Sequence, residues 1–266
     1  MLIDTHTHLE SFARKGALNP TLEEARAAGI DTLITIGTAP DDWSLYRDMA
    51  LEHPGLVRFT VGLHPCSVDA GWEAAVKQIE AFWTGAALDL PVALGECGLD
   101  RFHLPKDPAE AERIFGWQRA AFEAQLALAR RLGAVVVVHS RGAFRECVEM
   151  IDASGVDWTK VVFHCFTEGE AEMRELMKRG GYGSFTGILT YKTAENIRQA
   201  ARLQGLPRFM LETDAPYLTP MPHRGKPNVP AYVKHTAEFA AQQVFGVSYK
   251  ELAAISSATA KRFFSL

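Results

Sequence analysis

Eight short runs rich in Val, Ile, Leu and Phe recur along the chain, and segments of helical period separate them. Extended and helical segments in alternation are the pattern of repeated βα units. Strands are expected at 2–8, 32–37, 57–63, 91–96, 134–139, 160–164, 182–187 and 208–213. Helix signals fill the gaps at 21–28 before Gly29, at 41–52 before His53 and Pro54, and at 109–132 closed by Gly133. Later helices are expected at 143–153, 170–179, 193–204, 230–244 and 248–264. The run from Ala134 to Val138 is apolar without alternation, as when both faces of a parallel sheet are covered. Eight such units close into an α/β fold, a single (β/α)8 TIM-type barrel with C-terminal helices. No linker, fixed repeat or low-complexity tract interrupts the 266 residues, so one domain over 1–266 is the economical reading.

Composition narrows the chemistry. A net charge of −4 gives no global attraction to nucleic acid, so local cations or metals must hold any phosphate-bearing substrate. Cys66, Cys97, Cys147 and Cys165 form no C-x-x-C pair and are too sparse for a disulfide framework; they read as reduced thiols in the cytoplasm. There is no basic segment leading into an apolar one at the start, and no run of ~18 apolar residues, so an unexported chain without a membrane span is expected. Nothing in the sequence marks an obligate protein partner. The absence of a G-x-S-x-G elbow and of a G-x-x-x-x-G-K-[ST] loop argues against serine-nucleophile and P-loop chemistry.

Barrel enzymes place their chemistry at the carboxyl ends of strands. The expected strand ends carry His6-Thr7-His8, Gly62-Leu63-His64-Pro65, Gly95-Glu96-Cys97-Gly98-Leu99-Asp100, His139-Ser140-Arg141, His164-Cys165-Phe166-Thr167 and Glu212-Thr213-Asp214. A single strand-end histidine is usually a hydrogen-bonded core residue, but nine histidines placed at random would seldom recur at one level. Strand alternation turns Asp4, His6 and His8 the same way. His6, His8, Glu96, His139, His164 and Asp214 together supply imidazoles and carboxylates suited to two divalent ions about 3.5–4 Å apart. In one arrangement His6, His8, Glu96 and Asp214 hold the first ion, and Glu96, His139 and His164 the second. Asp214 could instead accept the proton of the attacking water, a dual role that residue types leave open.

Over almost its whole length, from Ile3 to Phe264, the chain resembles the TatD family of metal-dependent deoxyribonucleases, among the amidohydrolase-like barrels. The strand-end motifs carry the resemblance, with Asp4-Thr5 before His6, Ala215-Pro216-Tyr217-Leu218 after Asp214, and the run from Pro222 to Asn228. It implies a TIM-type barrel, dependence on magnesium, manganese or zinc, and hydrolysis of phosphodiester bonds in DNA, commonly from a 3′ end. It also matches His6, His8, Glu96, His139, His164 and Asp214 to the metal ligands. By the same resemblance His64 lies near the scissile phosphate, making Glu96, Asp214 and His64 the candidate catalytic set.

The remaining residues are weighed on their chemistry. Arg141 suits a substrate phosphate, and the cationic loop with His223, Arg224 and Lys226 suits a nucleic-acid backbone as well as it suits solvent. Tyr217 and Phe102 can stack on a base or pack at the rim. Cys97 and Cys165 read as buried small hydrophobes that alternation turns off the ligand face. His53, His103 and His235 read as helix-end or loop residues without a site role. Cys97, Arg101-Phe102 and Thr259 depart from the family pattern, which leaves the ligands intact but places substrate fit at the 101–110 loop in doubt. Two other functions compete. One is a metal-dependent hydrolase of another ester or amide, such as a D-aminoacyl-tRNA deacylase; the other is a barrel that binds nucleic acid or a partner without turnover.

Overall fold

The computed structural model describes residues 1–84 and 90–266. Strands β1 (Leu2–Thr7), β2 (Ile30–Thr35), β3 (Val57–Val61), β4 (Ala93–Asp100), β5 (Val136–Arg141), β6 (Val161–Phe163), β7 (Tyr182–Phe185) and β8 (Met210–Leu211) lie side by side in sequence order. Every neighbouring pair is parallel. Around them run α1 (Glu10–Ala13), α2 (Leu18–Ala27), α3 (Pro40–Glu52), α4 (Trp72–Ile79), α5 (Pro108–Leu132), α6 (Phe144–Ser154), α7 (Glu170–Arg179), α8 (Glu195–Gln204), α9 (Val233–Phe239) and α10 (Tyr249–Phe264). The expected barrel is therefore present.

The ring closes through the residues that follow β8. Asp214 N donates to His6 O and His8 N to Ala215 O, both at 2.8 Å. The buried Asp4 carboxylate accepts from Thr213 N at 2.9 Å and from Thr213 Oγ1 at 2.5 Å. The first strand and the segment carrying Asp214 are thus locked in register with each other.

Alternation explains how one set of strands supports both an apolar floor and a polar mouth. Ile3, Ile34, Ala93, Val137, Val162 and Met210 form a buried cluster with Phe263 and Phe264 of α10. His139 follows Val137 by two residues and His164 follows Val162 by two, so each of these imidazoles stands one layer above an apolar residue on the same face. The outward-facing residues pack with the helices in a second, larger cluster.

Two expectations need correction. α4 lies between β3 and β4, where no helix was expected; its eight residues are shorter than the window over which helical periodicity is legible. β4 was expected to end at Glu96, yet it pairs with β5 as far as Asp100↔Arg141, with an irregular register between Leu94 and Cys97. Gly98 makes that extension feasible: at φ +143° it passes so close to β5 that a Cβ would sit 2.0 Å from His139 O. Gly98→Ala is expected to destabilise the fold by about 3 kcal/mol or more, through overpacking and a backbone conformation foreign to alanine. Urea unfolding should show it; a midpoint equal to that of wild type would contradict the close approach.

Candidate metal centre

The proposed ligands come from five separate places in the chain. His6 lies on β1 with His8 just beyond it, Glu96 lies within β4, His139 on β5, His164 directly after β6, and Asp214 on the turn after β8. His8, Glu96, His139, His164 and Asp214 line the cavity at the carboxyl mouth of the barrel, together with His64, which caps the short turn Pro65–Ser67 after β3, and His6 is fully buried against Glu96 and Asp214.

Glu96 is the hub. Its Oε1 lies 2.6 Å from His164 Nε2, 2.8 Å from His139 Nδ1 and 3.4 Å from His64 Nε2. Its Oε2 faces the other way, 3.3 Å from His6 Nε2. Asp214 Oδ1 completes that second group, 3.1 Å from His8 Nε2 and 3.6 Å from His6 Nε2. The His6 and His164 rings stack across the middle with centroids 3.9 Å apart. Donor atoms of His6, His8 and Glu96 all lie within 4.8 Å of one another, as do those of His64, Glu96 and His139. The structure therefore adds His64 to the residues able to hold a cation.

The electrostatics suit a cation. Burial alone would raise the Glu96 carboxyl, but the His164, His64 and His6 imidazoles outweigh it and hold the group well below the usual carboxylate range. Burial likewise opposes charge on His164, yet Glu96 and Glu212 push that imidazole well above its ordinary value. Burial is also outweighed at His8, where Asp214 brings the imidazole up to about 9. Burial lowers His6 and leaves it neutral, and neither of its ring nitrogens makes an aligned hydrogen bond. A buried imidazole with an unused lone pair facing two carboxylates fits a metal ion, which would satisfy all three groups at once.

Two carboxylates missed as site residues by the sequence reading orient the ligands. Asp100 Oδ2 lies 3.0 Å from His139 Nε2 and so turns Nδ1 toward Glu96. Glu212 Oε1 lies 3.5 Å from His164 Nδ1 while accepting from Cys165 N at 2.6 Å, and its Oε2 accepts from Ser184 Oγ at 2.5 Å. The signal for Glu212 was its place among the polar residues that follow the expected eighth strand, two residues before Asp214. Glu212→Gln is expected to weaken divalent-metal affinity about 10–100-fold with the fold retained, because a carboxylate charge 3.5 Å from His164 Nδ1 is lost behind the ligand. Titration calorimetry on the metal-stripped variant checks this, and an unchanged affinity would remove Glu212 from the centre.

The mouth opens into a cavity of roughly 860 Å³, whose wall includes His8, His64, Glu96, Arg141, Asp214 and Tyr217. Arg141 is exposed there, its guanidinium 4.1 Å from the centre of the Phe102 ring. Arg224 and Lys226 are exposed on the loop after β8 and are not among the described residues lining the cavity; the Arg224 guanidinium lies 4.3 Å over the Tyr191 ring. Cys97 is fully buried, as expected. Cys165 is not: it follows the end of β6 in a left-handed conformation, φ 45°, where alternation no longer applies, and it lines the cavity. His103 also departs from expectation. It stands on the cavity wall with Nδ1 2.8 Å from Asp100 Oδ2, because β4 runs on and its turn folds back over the mouth.

A parallel eight-stranded barrel with converging imidazoles and carboxylates at its carboxyl mouth defines the class of protein. The model of the family described as TatD related DNase matches residues 3–265, and the chain belongs to the TatD family. It is 32% identical over 273 residues to the metal-dependent hydrolase YabD of Bacillus subtilis (strain 168), covering 100% of both chains. It is 33% identical over 253 residues to the 3′-5′ ssDNA/RNA exonuclease TatD of Rahnella sp. (strain Y9602), covering 92% of this chain and 91% of that one. The crystal structure of YjjV, a TatD homologue from Escherichia coli K12, superposes with a TM-score of 0.89 at 24% identity, over 100% of this chain and 98% of the other, a likeness of fold.

Proposed function

We propose that the protein is a two-metal phosphodiesterase that hydrolyses DNA, releasing nucleotides from a 3′ end. The observation that carries this reading is the division of Glu96: one carboxylate oxygen faces His139, His164 and His64, and the other faces His6. His6, His8 and Asp214 with Glu96 Oε2 would hold one magnesium, manganese or zinc ion; His139 and His164 with Glu96 Oε1 would hold the second, with His64 alongside. When bound, such ions acidify water and stabilise the charge that develops on phosphate oxygens.

The chain's own residues do the rest. Burial would raise the Asp214 carboxyl, but His8 and His6 outweigh it and keep it ionised, so it can take a proton from the attacking water. Arg141 stands on the cavity wall as a fixed cation for a phosphate oxygen. Tyr217, 60% exposed beside His8, and Phe102, 67% exposed, offer faces on which an unpaired base can stack, which favours single-stranded substrate. Arg224 and Lys226 stand outside the cavity wall and would meet the backbone of a longer strand. The names of the Rahnella and Edwardsiella relatives, 3′-5′ ssDNA/RNA exonucleases, support the direction and strandedness.

A metal-by-substrate panel on the purified protein tests the reading, with single-stranded DNA, duplex DNA, RNA, D-aminoacyl-tRNA and simple phosphodiesters. Release of mononucleotides from single-stranded DNA with added divalent ion is expected. D-aminoacyl-tRNA cleaved with DNA left intact would transfer the site to ester hydrolysis. Arg141→Ala is expected to raise KM for an oligonucleotide about tenfold with metal content unchanged. Steady-state kinetics alongside metal analysis measures both, and an unchanged KM would remove Arg141 from the substrate site. The described helices include none long and apolar enough to cross a membrane.

A further inference from the structure

We propose that Cys66, Asp100 and His103 form a further site for one zinc-type divalent cation on the wall of the cavity, adjoining the Glu96 centre through the contact of Asp100 with His139. Cys66 Sγ lies 3.7 Å from Asp100 Oδ2, and His103 Nδ1 lies 2.8 Å from the same oxygen. The three donor atoms are all within 4.8 Å of one another. A tetrahedral ion with a sulfur ligand at about 2.3 Å and nitrogen and oxygen ligands at about 2.0–2.1 Å separates its ligand atoms by about 3.3–3.6 Å. The trio is therefore close to coordinating geometry before any ion binds, and small side-chain rotations complete it.

The backbone holds these donors in place. Cys66 is fixed in the turn after β3, where its N–H donates to His64 Nδ1 at 3.0 Å. Asp100 is the last residue of β4, and its Oδ1 accepts from His103 N at 2.8 Å. Cys66 and His103 are both exposed, so an ion can enter from the cavity and keep an open fourth position toward it.

A sulfur, nitrogen and oxygen donor set selects zinc, cobalt or cadmium over magnesium, which demands six oxygens in near-octahedral array. The Glu96 centre has no sulfur donor in its proposed ligand set. The two sites therefore differ in the metals they select and in the spectroscopic signature those metals give.

Cobalt(II) is the probe, because a thiolate bound to cobalt gives an intense near-ultraviolet charge-transfer band that imidazole and carboxylate ligands do not. Titration of the full-length protein with Co²⁺ is expected to produce that band. Cys66→Ser should abolish it, and since Cys66 is exposed the variant should fold. His103→Ala should weaken cobalt binding at the band at least tenfold. Cys165→Ser, which removes the other thiol on the cavity wall, should leave the band unchanged. So should Glu96→Gln, which disables the proposed hydrolytic centre and so separates failure of this site from failure of the nuclease reading. No band in wild type, a band that survives Cys66→Ser, or one that disappears with Cys165→Ser overturns the assignment.

Discussion

Glu96→Ala is expected to lower DNA hydrolysis on the order of 10³-fold or more, and further than His6→Ala does. Glu96 Oε1 and Oε2 face different groups of imidazoles, so its loss opens both halves of the proposed centre. The donor atom His6 Nε2 faces the half containing Asp214 and Glu96 Oε2, and toward the other half His6 offers only the stack of its ring on His164. Removing a bridging carboxylate takes away several kcal/mol of transition-state stabilisation, and each 1.36 kcal/mol is about tenfold in rate. Rates at saturating Mn²⁺, with melting curves to establish folding, measure the difference. Folded Glu96→Ala retaining wild-type turnover would eliminate the bridging role, and equal losses in the two variants would place His6 in both halves.

Metal affinity in the half of the centre that contains His8 is expected to rise steeply with pH up to about 9 and then level off. Without an ion, Asp214 overcomes burial to push His8 up to about 9, and His139 and His164 are raised as well by their carboxylate partners. An imidazole must be neutral to donate to a cation, so each raised group sets a proton in competition with the metal. Below about 9 the proton holds His8, and affinity in that half falls as pH drops toward the ordinary histidine value of 6.5. The one proton displaced from His8 gives about tenfold per pH unit, or on the order of 10²-fold across that window, in the half that holds His8. Competition against a chromophoric chelator at several pH values, corrected for the chelator's own protonation, provides the measurement. A flat profile from 6.5 to 9 would show that these imidazoles are not ligands.

These effects rest on features that differ in how far they could be read in advance. The eight strands and most of their helices were legible, because apolar runs and 3.6-residue periodicity are local properties of the chain. His6, His8, Glu96, His139, His164 and Asp214 were legible as a set for a related reason: barrel topology brings every strand end to one mouth, so recurring metal-binding residue types at strand ends imply convergence. Extents and partners were not. The run of β4 through Gly98 to Asp100 depends on the backbone of β5 lying close enough to forbid a side chain, a contact between positions about 40 residues apart.

The residues whose roles changed are those whose orientation depends on that non-local packing. Asp100 reaches His139 only because β4 runs on beside β5, and His103 follows it onto the cavity wall. Cys165 escapes strand alternation because β6 stops at Phe163 and the chain turns left-handed. Arg224 and Lys226 carry the right charge for a phosphate backbone, and they are not among the described residues that line the cavity. The order of elements and the donor types at each strand end could be read in advance, since both are written in single segments. Which oxygen of Glu96 meets which imidazole, and which carboxylates stand behind the ligands, could not, because those relations exist only between segments that meet when the ring closes.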